Sequence, residues 1–284
     1  MNFRILSIAA LALAGASVTV AAASAHRLEC QAAIDLVKFS RPLAKISARL
    51  LRNEDITILA LGSSSTYGTG ASKSEFSYPS RLEQELHTLL PKAKVKVVNR
   101  GIGGEDAQQM LARLDRDLAS KPDLVLWQVG TNALLGEKGV ENQAPLIRDG
   151  LRRIRAAGAD VVLMDPQYAP YVLRDPDARP MVQLLARLGD EAGVPVFRRF
   201  ALMQDWHETR EYAFSDILAP DLFHMNDWSY GCLARNLAAA LVANAQAAPA
   251  PATVTTAAAT APSEKTPAQA APAEVILPAK TVSH

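Results

Sequence analysis

The sequence carries almost no net charge and few cysteines. Its 284 residues include 30 lysines and arginines against 29 acids, a formal net charge of +1, and only two cysteines. The sequence lacks the excess of basic residues that would indicate a nucleic-acid partner. It also lacks the acidic block that would indicate a metal-rich or disordered chain. Beyond the N-terminal segment, no run of residues is long and apolar enough to span a bilayer. Apolar residues still make up 49% of the chain, which suffices for the core of one α/β domain or two small ones.

The N-terminal segment has the pattern of a secretory signal. Residues 2–4 are a short basic start, residues 5–14 are apolar apart from one serine, and small residues stand at positions 23 and 25. We predict that residues 1–25 are a signal peptide, removed after Ala25 or, alternatively, after Ala23. The other interpretation is a retained anchor, but the many small residues make the segment only weakly apolar. Cleavage would leave a periplasmic or secreted protein without stable membrane insertion.

The C-terminal segment has a composition that does not support a core. Residues 245–284 are mainly Ala, Pro, Thr and Ser, with few charges and no aromatic side chain. Such a segment cannot bury enough apolar surface to offset its ordering entropy, so we predict a disordered tail. A single folded domain is therefore expected over residues 26–244.

Cys30 and Cys232 are the two cysteines. An even count in an exported chain permits one disulfide. We predict that a Cys30–Cys232 bridge ties the N-terminal segment to the last helix. Two free thiols in the core are the alternative.

The chain between these ends alternates between buried strands and amphipathic helices. Segments that are apolar at nearly every position, separated by segments of helical spacing, are typical of a parallel sheet covered on both faces. We predict an α/β fold, a doubly wound five-stranded parallel sheet with helices on both faces, and one outer helix within residues 28–55. The predicted strands are residues 56–61, 95–99, 124–129, 161–164 and 194–197. The predicted helices are residues 78–90, with Leu82, Leu86 and Leu89 inward, and residues 106–119, 144–157, 181–192, 202–212 and 227–245.

Glycine and polar residues follow the first three strands, where the fold is expected to form its site. Residues 62–64, 99–104 and 130–132 stand at these positions, and ligands bind beyond the carboxyl ends of parallel strands. The first of these segments lacks the lysine of a phosphate-binding loop and the second glycine of a Gly-x-Ser-x-Gly elbow. The glycines at 101–104 lack the spacing of a dinucleotide site.

His224 is the best candidate for a catalytic base among the five histidines. His207 precedes a glutamate but lacks the second histidine of a zinc protease motif. Asp221 lies three residues before His224 and can reach its ring within one turn, where a carboxylate fixes the tautomer and stabilises the imidazolium. A purely structural His–Asp pair is the alternative.

These blocks, taken in order, resemble the SGNH/GDSL hydrolases over most of residues 55–240. The family's Gly-Asp-Ser, Asn-x-x-Ile-x-Gly, Gly-x-Asn and Asp-x-x-His blocks are matched by residues 62–64, 99–104, 130–132 and 221–224. The resemblance implies a flavodoxin-like SGNH fold. It makes Ser64 the nucleophile and Asp221 and His224 its partners. It also makes an oxyanion hole of the Ser64 and Gly104 backbone amides and the Asn132 side chain.

Two positions depart from the family pattern: Ser63 replaces the usual aspartate before the nucleophile, and Ala133 the aspartate that often follows the asparagine. The resemblance otherwise implies an exported serine esterase that works through an acyl-serine and needs no metal or organic cofactor. Short connections, and polar or aromatic residues expected at the site edge, favour short acyl groups on a hydrophilic or carbohydrate substrate. These edge residues are Tyr78, Gln128, Gln167, Tyr168 and Tyr171, and packing at the helix–sheet joints is the alternative role for some of the tyrosines. The alternatives are a lipase or lysophospholipase, a sugar O-acyltransferase and a non-catalytic polysaccharide-binding module.

Overall fold

A computed structural model describes residues 28–247 of the chain, except residues 31, 33, 137 and 138. The predicted signal peptide, residues 1–25, lies outside the described residues. So does the predicted tail, apart from residues 245–247. These three residues belong to the last helix, which runs to Ala247 rather than to residue 245 as predicted.

The core of the fold is a five-stranded sheet in the order β2-β1-β3-β4-β5. Every pair of neighbouring strands is parallel, so the predicted doubly wound α/β architecture is confirmed. The central strand β3 is buried at every position, because helices cover both faces of the sheet. The strands are β1 (Ile56–Gly62), β2 (Val95–Gly101), β3 (Leu124–Gln128), β4 (Asp160–Met164) and β5 (Val196–Phe197).

Helices form a layer on each face of this sheet. Helix α12 packs against α2 and α4 in one layer, and α7 packs against α5 and α9 in the other. The helices are α1 (Ile34–Val37), α2 (Ala44–Leu51), α3 (Ser64–Tyr67), α4 (Tyr78–Leu89), α5 (Ala107–Leu118), α6 (Thr131–Leu135), α7 (Gln143–Ala156), α8 (Pro170–Leu173), α9 (Ala178–Ala192), α10 (Arg199–Gln204), α11 (Phe214–Ile217) and α12 (Asp227–Ala247). A 3₁₀ turn (Ser74–Phe76) precedes α4, and a π-helical turn (Asp205–Thr209) follows α10.

Capping and apolar spacing explain where the long helices form. Asp106 and Gln109 make a capping box at the start of α5, each side chain accepting from the other's backbone N–H, at 3.1 and 3.0 Å. This pairing satisfies amide donors that the first turn leaves free. In α4 the predicted inward face holds for Leu82 and Leu86. The prediction for Leu89 is wrong, since this last residue of α4 is 47% exposed.

The N-terminal segment contains two helices, α1 and α2, instead of the single helix predicted. Leu43 stands between them with its backbone N–H donated to Asn244 Oδ1 at 2.9 Å. Cys30 is bonded to Cys232 of α12, which confirms the predicted disulfide. The N-terminal segment is thus joined both covalently and by hydrogen bonding to the last helix. Across the part of the chain that the structure describes, no helix has the length and apolarity to cross a membrane.

Candidate active site

Ser64 is the first residue of α3 and is separated from the end of β1 by Ser63 alone. The turn between them is tight: a Cβ on Gly62 would lie 2.1 Å from Thr66 Oγ1, so only glycine fits. Gln128, at the end of the neighbouring strand β3, holds the turn by hydrogen bonds. Its Oε1 accepts from Ser63 N at 2.9 Å, Ser63 Oγ at 3.0 Å and Thr66 Oγ1 at 3.2 Å. Ser63, which stands in place of the aspartate of the SGNH/GDSL pattern, is therefore a buried anchor of the turn that carries Ser64.

His224 meets Ser64 from the loop that precedes α12. His224 Nε2 lies 2.9 Å from Ser64 Oγ, and Nδ1 lies 2.6 Å from Asp221 Oδ2. Because an imidazole nitrogen bound to a carboxylate carries the proton, Nε2 is left as the acceptor that faces the serine hydroxyl. The structure thus brings together Ser64, His224 and Asp221 in one hydrogen-bonded chain.

The Asp221–His224 loop is a compact turn built around one carboxylate. Asp221 Oδ1 accepts from Phe223 N at 3.0 Å and from His224 N at 2.9 Å. Leu222 between them has a φ of 52°, a left-handed conformation that costs a non-glycine residue free energy. Ala219 N donates to His224 O at 2.8 Å and closes the turn. Partial burial raises the pKa of Asp221, but hydrogen bonds from His224 and Phe223 outweigh it, so the pKa lies below its ordinary value.

The loop after β2 lies beside α3. Ile102 N donates to Gly62 O at 3.0 Å, and Asn99 Nδ2 donates to Tyr67 O at 3.4 Å. Asn99 Oδ1 accepts from Gly101 N at 2.9 Å and shapes the turn into the glycine segment. Gly104 follows with a φ of +80°. The predicted oxyanion glycine is therefore at the exposed edge of a loop that is anchored on β1 and α3.

Asn132, in α6 after β3, is joined to the same loop. Its Nδ2 donates to the backbone oxygen of Glu105 at 2.8 Å. Glu105 follows Gly104 directly, so the two predicted oxyanion-hole residues lie on contacting segments. Glu105 is itself held by Arg113, whose Nη2 lies 2.6 Å from Glu105 Oε2.

Some residues predicted at the substrate edge are inside the protein. Tyr78, Gln128, Gln167 and Tyr168 are between 0 and 6% exposed, whereas Tyr171 is 54% exposed. The buried four cannot contact a substrate, because the apolar strands and helices enclose them. Gln128 instead holds the turn that carries Ser64, and Gln167 bonds to the Thr131 and Arg199 side chains. The only signal for these roles in the sequence is an amide at or shortly after the end of an apolar strand. Among the described residues no group of three or more histidine, cysteine or acidic side chains could hold a metal ion.

A family model extends over almost all of this domain. The model of the non-GDSL lipase-like family matches residues 29–247. The chain belongs to this family. This match, together with the fold shared with the esterase structures below, confirms the predicted family resemblance. No curated protein sequence matches the chain.

Several solved structures share the fold of this non-GDSL lipase-like protein. A two-domain esterase active on acetylated mannans has a TM-score of 0.62 and 22% identity, over 77% of this chain and 60% of that one. An acetyl xylan esterase from Geobacillus stearothermophilus has a TM-score of 0.56 and 22% identity, over 66% and 94%. TesA has a TM-score of 0.56 and 22% identity, over 66% and 99%. The chain spans about three fifths of the two-domain esterase. At these low identities, the structural matches show a common fold.

Proposed function

We propose that this protein is an exported serine esterase that hydrolyses carboxylic esters through an acyl-serine intermediate. The observation that carries the proposal is the chain from Asp221 to His224 to Ser64, with contacts of 2.6 and 2.9 Å. A serine hydroxyl needs an adjacent base to become a nucleophile, and a base needs an orienting partner. The hydrogen bonds among Asp221, His224 and Ser64 supply both the base and its orienting partner, beside the loop that carries Gly104.

The reaction would proceed in two half-cycles. Ser64 Oγ attacks the ester carbonyl carbon while its proton passes to His224 Nε2. The backbone amides of Ser64 and Gly104 and the amide of Asn132 stabilise the negative charge on the carbonyl oxygen. The tetrahedral intermediate then expels the alcohol, which takes the proton from His224. A water molecule that gives its proton to His224 attacks the acyl-serine, and the acid leaves as Ser64 regains its proton.

Hydrolysis of nitrophenyl acetate by Ser64→Ala tests the proposal. We expect turnover to fall to background while the thermal melting temperature stays close to that of the wild type. Ser65→Ala is the matched control, since it removes a neighbouring hydroxyl and keeps both Ser64 and the Ser63 anchor of the turn. Near-normal turnover by a folded Ser64→Ala protein would refute the proposed nucleophile.

Two exposed tyrosines, Tyr67 and Tyr171, support a substrate proposal: a short acyl group on a carbohydrate. Seven large apolar residues are exposed among those that the structure describes, and five of them lie in segments that follow strands or belong to the His224 loop. The five are Tyr67, Ile102, Leu135, Tyr171 and Leu222. Aromatic faces stack on sugar rings, and two of the matching structures are esterases of acetylated mannans and of acetyl xylan.

Two series of substrates test this specificity. We expect kcat/KM to fall from nitrophenyl acetate through butyrate to octanoate, and acetylated mannan or xylan oligosaccharides to be deacetylated. Tyr67→Ala and Tyr171→Ala should raise KM for the oligosaccharides more than for nitrophenyl acetate, with Leu51→Ala, an exposed residue of α2, as the control. A kcat/KM that rises with the length of the acyl chain would indicate a lipase or lysophospholipase instead. Acetyl transfer to a sugar in preference to water would make it an acyltransferase.

The disulfide supports the proposal of export. Disulfides persist in oxidising compartments such as the periplasm or the outside of the cell, and Cys30–Cys232 joins the start of the proposed mature domain to its last helix. N-terminal sequencing of the purified native protein tests this proposal. A first residue of His26, or of Ser24, is expected. A first residue of Met1 would contradict cleavage.

A further inference from the structure

A fully buried glutamine connects two segments of the proposed active site. Gln167 lies after β4 and is 0% exposed. Its Oε1 accepts from Thr131 Oγ1 at 3.1 Å and from Arg199 Nη2 at 3.1 Å. Its Nε2 lies 3.5 Å from the backbone oxygen of Phe223. Since a guanidinium can only donate hydrogen bonds, Oε1 must face Arg199, and the amide NH₂ must face Phe223.

The two segments that Gln167 contacts carry proposed catalytic groups. Thr131 directly precedes Asn132, the proposed oxyanion donor in α6. Phe223 directly precedes His224, the proposed base, and its ring lies 4.5 Å from the imidazole, centroid to centroid. Thr131 and Phe223 are 36 and 56 residues from Gln167 in the chain. One side chain therefore connects loops that depend on different strands.

Arg199 holds Gln167 in this orientation. Arg199 is 0% exposed in α10, and its Nε donates to the backbone oxygen of Asp165 at 2.9 Å. Asp165 Oδ1 accepts from Phe200 N at 2.8 Å, which fixes α10 to the end of β4. Burial lowers the pKa of Arg199 to about 10, so the guanidinium stays a donor at neutral pH. A rotated Gln167 amide would turn its NH₂ group toward Arg199 and leave the buried Nη2 donor without this acceptor.

We infer that Gln167 is a positioning residue for the proposed esterase reaction. It sets the place of Asn132 through Thr131 and the place of His224 through the Phe223 carbonyl. The inference rests on the proposed function, because it assigns a role relative to the oxyanion donor and the base. The contact from Gln167 Nε2 to the Phe223 oxygen is long, at 3.5 Å, whereas the bond from Thr131 Oγ1 to Gln167 Oε1 is 3.1 Å.

Gln167→Glu separates positioning from folding. A glutamate keeps an acceptor for Arg199 and Thr131 and gives the buried guanidinium an opposite charge, so the fold is retained. It replaces the NH₂ group with a carboxylate oxygen that repels the Phe223 carbonyl. We expect the melting temperature to stay at or above that of the wild type. We expect kcat for nitrophenyl acetate to fall at least tenfold, with KM within about twofold.

Gln143→Glu is the matched control, since Gln143 is also a buried glutamine and lies at the start of α7. It should leave kcat unchanged even where it lowers the melting temperature. Thr131→Val is the second variant: it removes one hydrogen bond to Gln167 without adding charge, and we expect a severalfold fall in kcat. If Gln167→Glu does not fold, Thr131→Val alone decides.

The outcomes separate this inference from the proposed function. A folded Gln167→Glu protein with wild-type kcat, or a Thr131→Val protein with wild-type kcat, would overturn the positioning role. If Ser64→Ala is inactive in the same assay, only the inference about Gln167 fails. If Ser64→Ala keeps full activity, the proposed function fails with it.

Discussion

Gly70 packs directly against His224. A Cβ on Gly70 would lie 2.9 Å from His224 Cβ and 2.5 Å from the backbone oxygen of Met225, and Gly70 has a φ of +92°. A second link lies two residues further on, where Ser72 N and Oγ donate to the Asp227 carboxylate at 2.8 and 2.6 Å. The segment that follows α3 therefore packs against the loop that carries His224 and holds it in place.

Gly70→Ala should displace His224 from Ser64. The new methyl group would clash with the backbone of the His224 loop, and alanine is strained at this positive φ. The loop must therefore move. We expect kcat for nitrophenyl acetate to fall at least tenfold and the melting temperature to fall by several degrees. Gly231→Ala is the control, since nothing lies within 4 Å of its added Cβ and alanine is favoured in helix α12. A Gly70→Ala protein with wild-type kcat would contradict the tight contact.

Asn132→Ala should remove one donor from the oxyanion hole. Loss of one such donor reduces kcat by about 10²–10³-fold where it has been measured in a serine protease. The same change removes the bond from Nδ2 to Glu105 O, so the melting temperature must be measured beside kcat. A loss of less than about threefold in a folded variant would show that Asn132 does not face the reacting carbonyl.

The disulfide should contribute strongly to stability and little to chemistry. Cys30 and Cys232 are separated by 202 residues, and closing a loop of this length stabilises by about 5 kcal/mol as an upper figure in the chain-entropy model. We expect Cys30→Ser to lower the melting temperature markedly, while kcat at 25 °C stays within about twofold. Thermal unfolding with and without reductant, with the thiol content checked by mass, is the measurement. A fully reduced wild type that melts at an unchanged temperature would contradict this role.

Asp165 should make stability fall as the pH rises. Burial raises the pKa of Asp165 to about 7, against the opposing effects of the Phe200 N–H and the charges of Arg199 and Arg198. The unfolded carboxyl titrates near pH 4, so the folded state holds the proton more tightly. This contribution is full below about pH 4 and is lost as the pH rises through 7. Asp165→Asn keeps an acceptor for Phe200 but cannot ionise.

Melting curves of the wild type and Asp165→Asn between pH 4 and 8 measure this effect. We expect the melting temperature of the wild type to fall relative to that of the variant as the pH rises, because only the wild type ionises at position 165. Other carboxylates titrate alike in both proteins and cancel in the comparison. Two curves that stay parallel across this range would show that Asp165 is ionised throughout.

Much of the fold followed from local patterns in the sequence. The strands were predicted from apolar runs and α5 from the helical spacing of its inward residues. Both signals exist because these segments bury apolar side chains at regular intervals. The Asp221–His224 loop was predictable for the same reason, since its hydrogen bonds span three residues. Short helices such as α3, α6 and α8 were missed, because four or five residues carry no periodicity.

The roles of Gln128, Gln167 and Arg199 could not be predicted from the sequence. Each makes its hydrogen bonds to partners that are distant in the chain, and a polar side chain beside a strand end is by default expected on the surface. Their burial depends on how α10 and the strand ends pack. The predicted sugar-contacting roles of Gln128 and Gln167 were wrong for this reason.

Covalent labelling tests the central claim, that Ser64 is the nucleophile, most directly. The protein is incubated with a fluorophosphonate, and the modified residue is located by peptide mass spectrometry, with Ser64→Ala and His224→Ala treated in parallel. We predict one adduct per chain, on Ser64, no adduct in Ser64→Ala, and labelling slowed by orders of magnitude in His224→Ala. An adduct on Ser63 or Ser65, or esterase activity that persists in Ser64→Ala, would contradict the assignment.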